Sequence, residues 1–113
     1  MSGHYDRHGR PITLEEWLAL VGDLEGKRVA TDDVVTPAGR LLWVSTVWLG
    51  IDYNYGPSGP PIIFETMVFE HDMTGVDCQR YATEAQALAG HQAIVHAALE
   101  GLLDPHADAD RDA

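Results

Sequence analysis

The sequence predicts a single α+β domain, a two-layer sandwich in which an antiparallel meander of three to four strands carries an N-terminal and a C-terminal helix. Two observations predict this class. Apolar residues have helical spacing near both ends, and each such stretch follows a capping-box motif. The middle of the chain alternates Val- and Thr-rich runs with Gly/Pro turns. We assign residues 1–103 to the domain and 104–113 to an acidic tail that is expected to be disordered.

The first helix is predicted to begin after Thr13, because Thr13 and Glu16 have the spacing at which the two side chains cap each other's backbone amides. Before it, residues 5–12 predict a tight turn in which Gly9 takes a positive φ. Of the two glycines near the end of this helix, Gly22 and Gly26, Gly26 is the better candidate for its C-terminal stop. The apolar face of this helix is expected to consist of Leu14, Trp17, Leu18, Val21 and Leu24.

Four strands are predicted, over residues 27–35, 40–49, 61–70 and, more weakly, 78–82. The connection 50–60 is long for a hairpin loop, and loops of that length are often functional. A loop centred near Tyr55 and Gly56 would place Thr46 opposite Glu65 and Ser45 opposite Thr66. Because side chains alternate along a strand, Thr46, Trp48 and Glu65 would then share one face of the sheet.

The last helix is predicted over residues 83–103, with a second capping box at Thr83 and Gln86 and a stop at Pro105. Its apolar face is expected to consist of Ala85, Leu88, Val95, Leu99 and Leu102. Both faces of the central hairpin are substantially apolar, so one face is expected to be exposed or to lie in a homo-oligomer interface, most simply in a two-fold dimer.

The charge of the chain restricts its partners. Its net charge of −11 disfavours direct binding to nucleic acids or to anionic membranes, which both attract cations. Cys78 is the single cysteine, so an internal disulfide is excluded, which fits a reducing cytoplasm. The N-terminal residues lack the apolar segment of a secretory signal.

Polar residues in the middle of apolar strands mark the candidate site. A functional interpretation makes Thr46, Trp48, Glu65 and Thr66 part of a binding pocket, joined by Tyr53 and Tyr55 of the 50–60 loop. The alternative is a hydrogen-bonded core network, because a buried polar group needs a partner. His71 and Asp72 lack the spacing of a recognised metal motif. No catalytic motif and no cofactor-binding motif is present.

Three strings carry a family resemblance: YDRHGRPITLEEW, VSTVWLGIDYNYGPSGPPIIFETMVF and RYATEAQALAGHQAIV. They lie between Tyr5 and about Val95 and resemble a family of small uncharacterised proteins encoded by bacteriophages. The resemblance implies no activity. Tyr53 and Tyr55 stand where that family is expected to have His or Phe, so the resemblance implies no histidine-dependent role for the loop.

Three functions follow as expectations. The first is a non-enzymatic phage accessory protein that binds or inhibits a host factor in the cytoplasm of an infected bacterium. The second is an oligomeric sponge that holds a nucleotide-like small molecule in a Trp/Tyr-lined pocket, with Arg28, Arg40 and Arg80 placed to meet a phosphate. The third is a small enzyme with Glu65 as general base.

Overall fold

The computed structural model describes residues 3–105, which form a four-stranded antiparallel sheet with helices, as the sequence predicts. The strands occur in the order β1-β2-β3-β4 across the sheet. In chain order the elements are α1 (Leu14–Val21), α2 (Leu24–Lys27), β1 (Arg28–Val35), β2 (Leu41–Trp48), β3 (Phe64–Glu70), β4 (Gly75–Tyr81) and α3 (Glu84–Leu99). The prediction of disorder over 104–113 falls largely outside the described residues.

Both predicted capping boxes are present. The Thr13 hydroxyl accepts the Glu16 amide at 3.1 Å, and the Glu16 carboxylate accepts the Thr13 amide at 2.9 Å. Thr83 and Gln86 do the same at α3. The first helix ends earlier than predicted, because the chain turns after Gly22 and forms the separate short helix α2 before β1.

The helices lie on one face of the sheet, which we call the inner face. Residues of β2 and β3 alternate along this face and are fully or almost fully buried: Leu42, Val44, Thr46, Trp48, Phe64, Thr66 and Val68. Helix α3 covers them, and α1 contributes Trp17 and Val21 at the Trp48 end, where the Trp17 indole N–H donates to the carbonyl of Leu49 at 3.0 Å. The opposite face of the sheet is left uncovered by these helices.

The predicted apolar face of α3 is wrong. The helix is buried through Ala87, His91, Ile94 and Ala98, whereas Leu88, Leu99 and Leu102 are 41%, 55% and 65% exposed. Ala85 is exposed, and Val95 of the predicted set is partly buried. Hydropathy ranks leucine above histidine and alanine. The orientation of α3 is instead set by the hydrogen bonds of His91 and by small residues that allow close approach to the sheet.

The predicted register of the central hairpin is also wrong, by one residue. Thr46 pairs with Thr66 and Val47 pairs with Glu65. The strands stay in register up to Leu49, whose amide donates to the carbonyl of Ile63 at 2.7 Å, so the loop is centred at Gly56 rather than between Tyr55 and Gly56. A one-residue slip moves every side chain of a strand to the other face, and Glu65 therefore lies on the face opposite Thr46.

Candidate binding surface

A chain of four polar side chains crosses the inner face. The hydroxyls of Thr66 and Thr46 lie 2.5 Å apart, Thr46 Oγ1 lies 2.7 Å from His91 Nδ1, and His91 Nε2 lies 2.7 Å from Asp32 Oδ2. A ring protonated at Nε2 satisfies the whole chain. The Thr66 hydroxyl then donates to Thr46, Thr46 donates to Nδ1, and Nε2–H donates to the Asp32 carboxylate. The chain links α3 to β1, β2 and β3.

The burial of this network favours the core interpretation of the mid-strand threonines. Thr46 and Thr66 are 0% exposed and Trp48 is 1% exposed, so no ligand reaches them from solvent in this structure. The predicted grouping of Thr46, Trp48 and Glu65 is not formed. Asp32, His91 and Thr46 resemble the order of groups in a hydrolase triad, but a buried Thr46 hydroxyl is out of reach of a substrate carbonyl. The arrangement is that of a hydrogen-bonded core network.

The uncovered side of the sheet, the open face, is built from three rows that run across the strands. The strand pairings define them. The loop-end row is Arg28, Val47, Glu65 and Arg80. The middle row is Thr31, Ser45, Met67 and Cys78. The turn-end row is Asp33, Trp43, Phe69 and Gly75, beyond which Val35 pairs with Leu41.

The two central strands make the open face apolar. Antiparallel sheets with one solvated face usually alternate apolar and polar residues. Here the outward positions of β2 and β3 are mostly apolar as well: Leu41, Trp43, Val47, Met67 and Phe69, interrupted by Ser45 and Glu65. The edge strands are more polar. An apolar centre with a polar rim is the organisation of a protein–protein interface.

Trp43 is held in place at the turn-end row. Its indole N–H donates to the Thr31 hydroxyl at 2.6 Å, and its ring centre lies 5.5 Å from that of Phe69. A large aromatic side chain whose orientation is already fixed loses little conformational entropy on binding, which is a property of residues that dominate binding energy.

The loop-end row continues into the 50–60 loop. Arg80 Nε donates to Glu65 Oε2 at 3.0 Å, and the Arg80 guanidinium carbon lies 4.5 Å from the centre of the Tyr53 ring. Tyr53 in turn contacts Tyr55 edge-on, with ring centres 6.3 Å apart. Of the predicted binding residues, Glu65, Tyr53 and Tyr55 therefore form one group, and Tyr55 is 86% exposed.

The backbone of this loop is shaped by two polar side chains. The Asp52 carboxylate accepts the amides of Asn54 and Ile62 at 2.7 and 2.9 Å. The Asn54 side-chain amide donates to the carbonyls of Ser58 and Pro60 at 3.1 and 2.9 Å. Hydrogen bonds across a loop favour one conformation, so the tyrosines are presented from a defined support.

Three ionisable groups of the open face, Glu65, Cys78 and Arg80, are engaged with one another. The hydrogen bond from Arg80 to Glu65 raises the pKa of Arg80. Burial, followed by the nearby Glu65 carboxylate, raises the pKa of the Cys78 thiol, which keeps it in the less nucleophilic protonated form at neutral pH. Glu65 is held in an ion pair rather than facing an open cavity, which is an unsuitable arrangement for a general base.

Other features of the described residues provide weaker support for a binding site. A shallow depression at the turns is lined by Gly39, Arg40, Leu41, Glu70 and His71, and its Arg40 already contacts Glu70 and Asp104. Over residues 3–105, no group of three His, Cys, Asp or Glu side chains is arranged to hold a metal ion. In the same range no helix is both long and apolar enough to cross a bilayer.

Comparison with known proteins provides no relative: neither a protein-family model, nor a curated protein, nor a solved structure matches the chain. The site is therefore defined by its geometry. Sequence reasoning missed the pair formed by buried His91 and half-exposed Asp32 on the inner face, and it missed Trp43 and Phe69 as candidate binding residues on the open face. The aromatic pair could have been found from the strand alternation, because Trp43 and Phe69 stand at outward positions of an otherwise solvated face.

Proposed function

We propose that this protein is a non-enzymatic interaction module that docks a protein partner on the open face. The observation that supports this most is the apolar strip along β2 and β3, with Trp43 and Phe69 in its turn-end row and polar edge strands beside it. The resemblance to phage-encoded proteins extends the proposal: the module acts as an accessory factor on a protein of the infected bacterium, in its cytoplasm.

The rival function, a sponge for a nucleotide-like molecule, is less well supported. Small-molecule sites are concave and bury most of the ligand, whereas the open face is a pleated surface. Arg40 contacts Glu70 at 2.5 Å, and Arg80 contacts Glu65 at 3.0 Å. A phosphate would have to compete with a carboxylate for each of these guanidinium groups.

Site-specific photo-crosslinking in bacterial cells tests the proposal. A benzophenone side chain replaces Ser45 at the centre of the open face, and in a matched control it replaces Gln92, an exposed residue of α3. We expect a discrete crosslinked protein band from position 45 and none from position 92. The band should disappear when Trp43→Arg is added, because a charge then stands in the apolar strip.

Two crosslinking results would contradict the proposed function. If the probe at position 45 gives no crosslinked protein, or gives the same bands as the probe at position 92, the open face is not a docking surface and the proposed function is wrong. Circular dichroism of each variant establishes that the comparison is made between folded proteins.

A further inference from the structure

We infer that the partner on the open face is a second copy of this chain, and that the two-fold axis of the dimer runs across the strands along the middle row. The inference rests on the proposed function, since it names the occupant of the same surface; a host protein would then bind the dimer outside the open face. Two sheets packed in this way form a four-layer particle, with helices outside and the two open faces about 10 Å apart in the centre.

The first argument is the charge of the face. The chain has a net charge of −11, yet the three rows carry two guanidinium groups, Arg28 and Arg80, against two carboxylates, Asp33 and Glu65. These charges cancel, so among residues 3–105 the excess of acidic side chains lies away from the open face. Two copies can therefore approach through this face without placing a net negative charge against its equal.

The second argument is the placement of those charges. Two sheets related by a two-fold axis between them can have that axis across the strands or along them. With the axis across the strands, each loop-end row faces the turn-end row of the other copy. Arg28 then stands over Asp33 of the partner subunit, and this contact occurs twice. Val47 stands over Trp43 of the partner subunit, which joins two apolar groups.

The other axis produces repulsion. With the axis along the strands, each row faces its own copy with the strand order reversed. Arg28 then stands over Arg80 of the partner subunit. Glu65 stands over Val47 of the partner subunit, as it stands over Phe69 of the partner subunit with the axis across the strands, so this carboxylate does not distinguish the two axes. Like charges face to face across an interface are unfavourable, so the open face favours the axis across the strands.

The third argument is area. Four strands of about eight residues give a face of about 19 by 27 Å, or about 500 Å² in projection. The accessible area of protruding side chains exceeds their projection, and Tyr53 and Tyr55 extend the surface beyond the strands. The total approaches the roughly 800 Å² per partner that stable interfaces bury.

Cys78 provides a direct probe of the axis. It is the single cysteine of the chain, is exposed, and lies on the middle row, so an axis along this row brings the two Cys78 residues to opposite positions about 10 Å apart. With the axis along the strands, each Cys78 would face Thr31 of the partner subunit, and the two thiols would lie about 18 Å apart. A bismaleimide with a short spacer joins the first pair and not the second.

The experiment uses the purified full-length protein. Sedimentation velocity at micromolar concentration should show a dimer, and the short bismaleimide should convert it to a covalent dimer. Arg28→Glu should weaken the dimer dissociation constant by about tenfold or more, because two attractive contacts become repulsive. The charge exchange Arg28→Glu with Asp33→Arg should restore it. Leu99→Glu on the outer side of α3 is the matched control and should leave the dimer unchanged.

Each contrary result overturns one part of the proposal: the second copy, the position of the two-fold axis, or the open face as the interface. A monomer at 100-fold higher concentration excludes the second copy, and the proposed function then stands only if the position-45 probe captures a different protein in cells. A dimer without a Cys78 crosslink, or one that the charge exchange does not restore, excludes the axis along the middle row. A dimer unaffected by Arg28→Glu excludes the open face as its interface.

Discussion

Replacing Thr46 by valine tests whether the buried polar chain holds the sheet and α3 together. Valine has the shape of threonine and lacks its hydroxyl, so the change removes hydrogen bonds with little change in volume. Thr46 Oγ1 contacts both Thr66 Oγ1 and His91 Nδ1, at 2.5 and 2.7 Å. Both partners are 0% exposed and cannot turn to water.

The magnitude follows from these two partners. A buried polar group left without a hydrogen bond costs about 1–3 kcal/mol. Two such groups would cost about 2–6 kcal/mol, and the additional methyl of valine returns about 1 kcal/mol through its burial. We therefore expect Thr46→Val to lower the free energy of unfolding by about 1–5 kcal/mol. Thr46→Ser, which keeps the hydroxyl and loses a methyl, should cost about 1 kcal/mol.

Urea unfolding followed by the fluorescence of the three tryptophans measures these free energies. All variants are compared at one protein concentration, because association would make the midpoint concentration-dependent. The slope against urea should stay constant, which shows that the unfolded states are comparable. The double variant Thr46→Val with Thr66→Val should cost less than the sum of the single variants, because Thr66 no longer has a hydroxyl to satisfy.

Two outcomes would refute this reasoning. If Thr46→Val lowers stability by less than about 0.5 kcal/mol, the chain of hydrogen bonds contributes nothing net. If Thr46→Ser is more harmful than Thr46→Val, the methyl group matters at this position and the hydroxyl does not.

Three further predictions concern other parts of the molecule. In urea unfolding, Ile94→Ala should lower the free energy of unfolding by about 2–4 kcal/mol and Leu99→Ala by less than about 0.5 kcal/mol. The reason is that Ile94 is 9% exposed and Leu99 is 55% exposed. Equal losses would contradict the observed buried face of α3. Gly90→Ala should lower the melting temperature, although alanine favours helices, because the added methyl would contact the Tyr81 ring. A higher melting temperature would show that the ring moves to accommodate the methyl. A hydrogen bond from Thr36 is the main cause that lowers the pKa of the Asp104 carboxyl in the folded protein. The ionised carboxylate therefore stabilises the fold at every pH above its unfolded pKa of about 3.9. This stabilisation is lost as the pH falls through the lower pKa of the folded state. Asp104→Asn should therefore reduce the loss of unfolding free energy that the protein shows as the pH is lowered. An unchanged pH dependence would argue against this contribution.

The sequence by itself determined the class of fold and the beginnings of α1 and α3. The capping boxes at Thr13 and Thr83 involve residues three positions apart, and the strands follow from Val- and Thr-rich runs between turn residues. Such signals are local, and tertiary contacts did not override them. The uncovered apolar face was also predictable, because both faces of the central hairpin carry apolar side chains and the helices are too few to cover both.

Only the tertiary structure decided which residues share a face. The hairpin register depends on how Asp52, Asn54 and Ile63 arrange a long loop, and a slip of one residue exchanged Glu65 for Thr66 beside Thr46. The orientation of α3 depends on His91, whose partner Asp32 is 59 residues away. A histidine is a suitable core residue only where distant partners satisfy both ring nitrogens, and no local pattern encodes their positions.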